Sequence, residues 1–210
     1  MKVILVTFFL ILSTMPHYGQ KFNFGIGLEV NKVDLKKKAP PGITSPYSIG
    51  LNPSVGMSGH LIIEYKINDY FFVSLNPSYG TYRMSIDKSR NSSFLYMNHL
   101  NIGLGSRVNF DGLTGGFEFG VSRFSDLYYT QPNQYRDLTK YIINKNILNY
   151  AFFVGFDIYK DSYIYIKTSS YLQDYFAIAG YDNIGREISP IVVRPKYLSL
   201  GINYIINDKD

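Results

Sequence analysis

The amino-acid sequence predicts an all-β fold, an eight-stranded antiparallel up-and-down transmembrane β-barrel preceded by a signal peptide. Three observations predict it. Apolar residues recur at every second position in eight separate segments, the links between segments alternate between short turns and long connections, and the positions facing away from the apolar side are mostly Gly, Ser and Asn.

The N-terminus reads first. Lys2 is followed by an apolar run from Val3 to Leu12 and a short polar stretch from Ser13 to Gln20. That order is the layout of a secretory signal peptide, and the run is too short to cross a membrane as a helix. The expected division is a signal peptide over residues 1–19, cut at Gly19/Gln20, and one barrel domain over residues 20–210. An N-terminal membrane anchor is the alternative. After Leu12 no stretch approaches the roughly 18 consecutive apolar residues of a transmembrane helix.

Successive side chains of a strand point to opposite faces, so a strand with one apolar side alternates. The first segment sets Phe22, Phe24, Ile26, Leu28 and Val30 against Asn23, Gly25, Gly27, Glu29 and Asn31. The second runs from Leu51 to Ile67, with Val55, Met57, Leu61 and Ile63 against Gly56, Ser58, His60, Glu64 and Lys66. The third opposes Phe71, Val73, Leu75 and Tyr79 to Ser74, Asn76, Ser78 and Gly80. In the fourth, Leu100, Ile102, Leu104, Val108 and Phe110 oppose His99, Asn101, Gly103, Gly105 and Arg107. The fifth has Leu113, Phe117, Phe119 and Val121 against Thr114, Gly116, Glu118, Gly120 and Ser122. The sixth has Leu148, Tyr150, Phe152, Val154, Phe156 and Ile158 against Asn149, Ala151, Gly155 and Asp157. The seventh is weaker, with Ile164, Ile166 and Leu172 against Tyr165, Lys167, Ser169 and Gln173. The eighth sets Leu198, Leu200, Ile202, Tyr204 and Ile206 against Ser199, Gly201 and Asn203.

Two-residue hairpin turns are expected at Asn68 and Asp69, Asp111 and Gly112, and Lys160 and Asp161. The other links are long, over residues 32–50, 85–93, 130–141 and 179–194. Short turns on one rim and long loops on the other describe an outer-membrane barrel with periplasmic turns, extracellular loops and both termini in the periplasm. Aromatic residues gather where two interfacial belts belong: Tyr65, Phe71, Phe110, Tyr159, Tyr163 and Tyr204 near the turns, and Tyr47, Tyr79, Tyr82, Tyr96, Tyr128 and Phe176 near the loops.

Composition narrows the function. The 210 residues include 20 Tyr, 15 Phe and 18 Gly but no Cys and no Trp. Without Cys there is no disulfide, zinc-thiolate site or lipid-modified cysteine, and no cofactor or metal is expected. The net charge of +5 lies mostly in the links, with Lys36, Lys37 and Lys38 together, so solvated loops explain it and nucleic acid is not an expected partner. Alternation alone cannot tell inside from outside. A soluble lipocalin-like ligand binder, with its apolar side inward, is the rival. A water-facing surface is rich in Lys and Glu, and the polar side here is not, so membrane lipid is placed against the apolar side.

An eight-stranded lumen is filled by side chains. The inward charges Glu29, Glu64, Lys66, Arg107, Glu118, Asp157 and Lys167 carry both signs and are expected to pair as a structural network, with a gated ion path as the functional alternative. A lipid A-modifying enzyme is a further alternative. Its histidines would be His60 and His99, yet Glu64 lies four strand residues from His60, roughly 13 Å along the chain, so no catalytic pairing is implied. The repeated Leu51-Asn52-Pro53-Ser54 and Leu75-Asn76-Pro77-Ser78 predict a pair of bulges, because proline inside a strand belongs at edges or bulges. Thr168 and Ser170 interrupt the lipid side of the seventh segment and point to a protein contact or to simple tolerance.

Four short motifs carry a family resemblance. They are Lys21-Phe22-Asn23-Phe24-Gly25, the hairpin from Glu64-Tyr65 to Tyr70, Ser93-Phe94-Leu95, and Val154-Gly155-Phe156-Asp157-Ile158-Tyr159. In these the chain resembles the outer-membrane β-barrel domain family with its small porin-like and PorT-like members, over most of residues 20–210. The resemblance implies an integral barrel of the cell envelope. For the PorT-like members it implies service in a protein-secretion and gliding-motility apparatus, with envelope protein partners.

Overall fold

Ten strands form one closed antiparallel sheet in the computed structural model, which describes residues 22–38, 54–85, 94–131, 134–137, 139, 142, 144–159, 161–174, 176–181 and 187–206. The predicted signal peptide, Tyr47 and Pro53 lie outside the described residues. The strands are β1 (Phe22–Lys38), β2 (Ser54–Lys66), β3 (Phe71–Ser85), β4 (Phe94–Phe110), β5 (Leu113–Gln131), β6 (Gln134–Asp137), β7 (Asn146–Tyr159), β8 (Ser162–Tyr171), β9 (Phe176–Tyr181) and β10 (Glu187–Ile206). Eight of them make the wall in the order β1-β2-β3-β4-β5-β7-β8-β10, and β10 returns to pair with β1 from Phe24↔Ile206 to Lys38↔Val192. Closure leaves no free edge, which is what a backbone in hydrocarbon needs when each unpaired amide costs several kcal/mol.

The burial pattern settles which side is which. Ile26 and Leu28 are 54% and 63% exposed on the outer face, whereas Asn31 and Glu64 inside are 1% exposed. The outer surface is therefore a band of Leu, Ile, Val and Phe, and the buried polar and charged side chains lie inside, between apolar and aromatic ones. A lipocalin-like barrel has these sides reversed, so that alternative is overturned: the apolar side meets hydrocarbon.

Turn chemistry accounts for one rim. Asp111 and Gly112 both have positive φ, 50° and 79°, between the paired Phe110 and Leu113. This is the type I′ geometry whose twist matches antiparallel strands. Tyr159 pairs with Ser162 across the second two-residue turn. The hairpin expected at Asn68 and Asp69 is wider. Residues 67–70 separate β2 from β3, with Ile67 N donating to Phe71 O at 3.0 Å, and Asn68 Oδ1 accepts from the amides of Tyr70 and Phe71 at 2.9 and 2.8 Å. The Asn68 side chain organises an Asx turn and so lengthens the loop.

The other rim departs from expectation, because hydrogen-bonded ladders continue where the apolar alternation stops. β1 reaches Lys38 and β10 begins at Glu187, so the backbone of Lys36 to Lys38 is strand, as is much of residues 179–194. β6 pairs with the end of β5, and β9 with the start of β10, making two walls that rise above the barrel. The bulge expected at Pro77 is absent: Asn76↔Gly103, Pro77↔Ile102 and Ser78↔Asn101 are in register, and His60↔Ser78 and Ile63↔Leu75 hold one register on the other side. Proline is accommodated there without a shift of register. Bulges occur instead at Ser125, between the pairs Asn98↔Asp126 and His99↔Phe124, and at Ile158.

The lipid-facing assignment makes a quantitative prediction. Ile26→Arg, in the middle of the outward row on β1, should destabilise the barrel in vesicles by about 2–4 kcal/mol in urea titrations. A change near zero would mean that residue 26 meets water.

Candidate functional site: the filled lumen

The interior is built in three layers, and each strand contributes through its alternate residues. At the turn end Ile62, Tyr163, Tyr165 and Ile205 form an apolar cluster with Phe153 against it. Beside them Arg107 makes a two-pronged contact with Glu64, Nε to Oε1 at 2.8 Å and Nη2 to Oε2 at 2.9 Å. Its guanidinium carbon lies 4.1 Å from the centre of the Phe72 ring and 5.3 Å from that of Tyr163. The fork matches a carboxylate, and the aromatic faces take the remaining cationic surface.

The middle layer is polar. Glu29 is ion-paired with Lys167, accepts from Tyr165 Oη at 2.7 Å and from Ser58 Oγ at 3.2 Å. Glu118 accepts from the amides of Asn76 and Asn101 at 3.1 and 3.2 Å. Asn149 donates to Asn101 Oδ1 at 2.7 Å and to Ser122 Oγ at 2.8 Å. Buried charge without such partners would be costly, so each carboxylate here is held by donors.

The loop end is closed by aromatic rings. Tyr82 stacks on His99 with centroids 4.7 Å apart and on Tyr197 at 4.5 Å, and Phe124 lies 5.7 Å from His99. Met97, Phe124 and Leu127 are fully buried beneath the rim. The bulge at Ser125 explains how Phe124 and Leu127 both point inward although they are three residues apart: one extra residue resets the alternation.

Space for these side chains comes from glycines facing them. A Cβ on Gly27 would strike His60 and Asn203, one on Gly103 would strike Glu118, and one on Gly201 would strike Tyr165. Large opposite small is how a narrow barrel fills its interior. Among the described residues two cavities of about 30 Å³ each remain between these layers, and they meet at Glu29, Ser78, Glu118 and Lys167. Each has room for a couple of water molecules.

Of the seven charges expected in the lumen, Glu29 and Lys167 pair, Glu64 and Arg107 pair, and Glu118 joins the amide network. Lys66 and Asp157 fall outside it. Both have inward parity but lie at strand ends: Lys66 contacts Asp69 of the turn at 2.6 Å, and exposed Asp157 accepts from Asn109 at 3.0 Å. The Lys66 ammonium holds the Asp69 carboxyl below its usual range. Tyr82 and Tyr163, expected in the outer belts, are inside, where Tyr163 accepts from Asn203 Nδ2 at 2.7 Å. Their parity with Gly80 and Tyr165 was the available signal.

The histidines are both engaged. His60 Nε2 is 2.8 Å from Asn203 Oδ1. His99 Nδ1 is 3.2 Å from Gly80 O and must donate to it, which leaves Nε2 to accept from Tyr82 Oη at 3.2 Å in the neutral ring. Among the described residues no group of three or more His, Cys, Asp or Glu is placed to hold a metal ion.

No family model matches the sequence, and no curated protein matches it. Solved structures share its fold. Neisserial surface protein A (NspA) is 14% identical, with 89% of this chain and 99% of that chain covered at a TM-score of 0.50. The outer membrane protein OprG from Pseudomonas aeruginosa is 11% identical, with 90% and 97% covered, also at 0.50. The chain thus has the fold of small outer-membrane barrels.

The Glu64–Arg107 pair should be far more costly to break than to replace. Arg107→Met alone should cost about 3–5 kcal/mol by leaving a buried carboxylate unpaired, and adding Glu64→Leu should recover most of it. Urea unfolding of the three proteins in vesicles measures the difference; equal losses in single and double variants would sink the pairing argument.

Proposed function

We propose that the chain is an integral outer-membrane barrel, non-catalytic, whose lumen is a structural core and whose activity resides in its extracellular loops or envelope partners. The observation that carries this reading is the filled interior. Ion pairs, carboxamides and stacked rings occupy it from one rim to the other, leaving cavities of only about 30 Å³. A permeating solute would have to break the Glu29–Lys167 contact and then displace the Tyr82, His99 and Tyr197 stack. Non-catalytic function is supported by the histidines, since among the described residues their hydrogen-bond partners are the Asn203 carboxamide for His60, and the Gly80 carbonyl and the Tyr82 phenol for His99.

Work as a component of a secretion or gliding apparatus is the finer reading, suggested by the PorT-like resemblance. One observation favours it. Thr168 is exposed on the outer face between Phe152 and Leu198, a polar break in the apolar band. A membrane partner that supplies hydrogen bonds would suit that break.

Planar-bilayer recordings test the main reading, with no sustained conductance expected from the native barrel; a steady open level would overturn it. A photocrosslinker at residue 168 tests the second, with a discrete envelope protein captured in cells if the apparatus reading holds and lipid adducts alone if it does not. His60→Ala and His99→Ala should leave the lipid A composition of expressing cells unchanged, and an altered composition would revive the enzyme.

A further inference from the structure

The outer side of the wall formed by β3 to β6 carries a feature that the lumen does not explain. On this side the apolar band ends at Tyr79, Leu100 and Val121, all exposed. The next rung is polar. Thr81 Oγ1 donates to Asn98 Oδ1 at 3.0 Å, Asn98 Nδ2 donates to Asp126 Oδ2 at 3.4 Å, and Arg123 lies exposed beside them. Beyond that rung the face turns aromatic again. Tyr96 and Tyr128 are cross-strand partners stacked at 5.0 Å and 8°. Tyr135 of β6 stands 5.5 Å from Tyr128, Phe94 stands 6.4 Å from Tyr96, and the Arg83 guanidinium carbon sits 3.5 Å over the Phe94 ring.

Height identifies the layer this row meets. Tyr96 is four residues beyond Leu100, about 13 Å along the strand and roughly 10 Å along the membrane normal at the usual tilt. A phospholipid headgroup layer is only about 5–8 Å deep. A belt that merely anchors a barrel adjoins the hydrocarbon, as Tyr79 does. This row lies past a polar rung, where a lipid with a larger polar head still has atoms.

Charge narrows the chemistry. Arg83 has no ion pair among the described residues, and stacking on Phe94 leaves its N–H fork open in the plane. The neighbouring carboxylates are already engaged: Asp126 by Asn98 and Ser125, and Asp137 by the Thr139 amide at 2.8 Å. Phenol hydroxyls suit sugar hydroxyls, and an open guanidinium fork suits phosphate. We infer that the Arg83–Phe94–Tyr96–Tyr128–Tyr135 face binds the phosphorylated sugar headgroup of an outer-leaflet glycolipid. This rests on the barrel being inserted in a membrane.

The chain has no Trp, so Tyr135→Trp introduces a single indole at an exposed position of the row. The variant is inserted into phosphatidylcholine vesicles with and without lipopolysaccharide, and insertion is read separately by heat-modifiable mobility on gels. The indole emission should shift only with the glycolipid, and Arg83→Gln should weaken the apparent affinity about tenfold while Arg83→Lys restores part of it. Equal emission in both vesicles, or an undiminished response in Arg83→Gln with insertion intact, overturns the assignment. An equal response to the deacylated phosphosaccharide in solution overturns the membrane source of the ligand. Failure of the native sequence to insert would instead remove the membrane reading itself.

Discussion

In hydrocarbon a β-sheet has no solvent to complete its backbone hydrogen bonds, so the sheet must close on itself. The pairing of β10 with β1 meets that demand, and the rest of the molecule follows from it. A closed wall of eight strands fixes a narrow interior that no apolar solvent enters. The outer side chains have to be oily, and the inner ones have to fill the space and satisfy one another. The polar interior is thus a consequence of the oily exterior: the hydrophobic term that normally drives side chains into a core is spent on the opposite face.

Specificity inside then comes from geometry and partner matching. Three carboxylates, Glu29, Glu64 and Glu118, share the described interior with Arg107 and Lys167. Two are neutralised by ion pairs, and the third is held by the amides of Asn76 and Asn101. Aromatic rings flank this polar layer at both ends, which limits the water that competes for its hydrogen bonds. The glycines at positions 27, 103 and 201 belong to the same solution, since each gives way to a bulky residue on a neighbouring strand.

The alternation that marks the strands is legible in the sequence because the two faces meet different media, and medium selects residue type position by position. Height and partnership are not legible in the same way. Lys66 and Asp157 have the parity of lumen residues, but parity carries no depth, and both sit at the mouth where turn residues and solvent are nearer than the opposite wall. Tyr82 and Tyr163 were drawn to the belts by their chemistry, since an amphipathic ring suits an interface as well as a crowded lumen. The extra residue at Ser125 is hidden for another reason. A bulge leaves the local sequence ordinary while reversing the phase of everything beyond it. Proline at position 77 shows the converse, a residue whose usual implication fails because the register continues unshifted past it.

With the interior filled, the proposed function falls to the rim, and here the rim is uneven. β3 to β6 rise on one side, and the ends of β1, β9 and β10 rise on another, each carrying ladder hydrogen bonds past the apolar band. Strand that continues beyond the oil is not required to satisfy amides, because water or headgroups would do so. What it provides is rigidity: side chains on these walls keep the spacing of a sheet, as the stacked Tyr96 and Tyr128 do. Loops on a stiff base are a common way to present a binding surface. In this barrel part of that base is itself chemically distinctive, so on the proposed reading the walls are surfaces in their own right, and the outermost ladder pairs serve recognition even though the barrel would close without them.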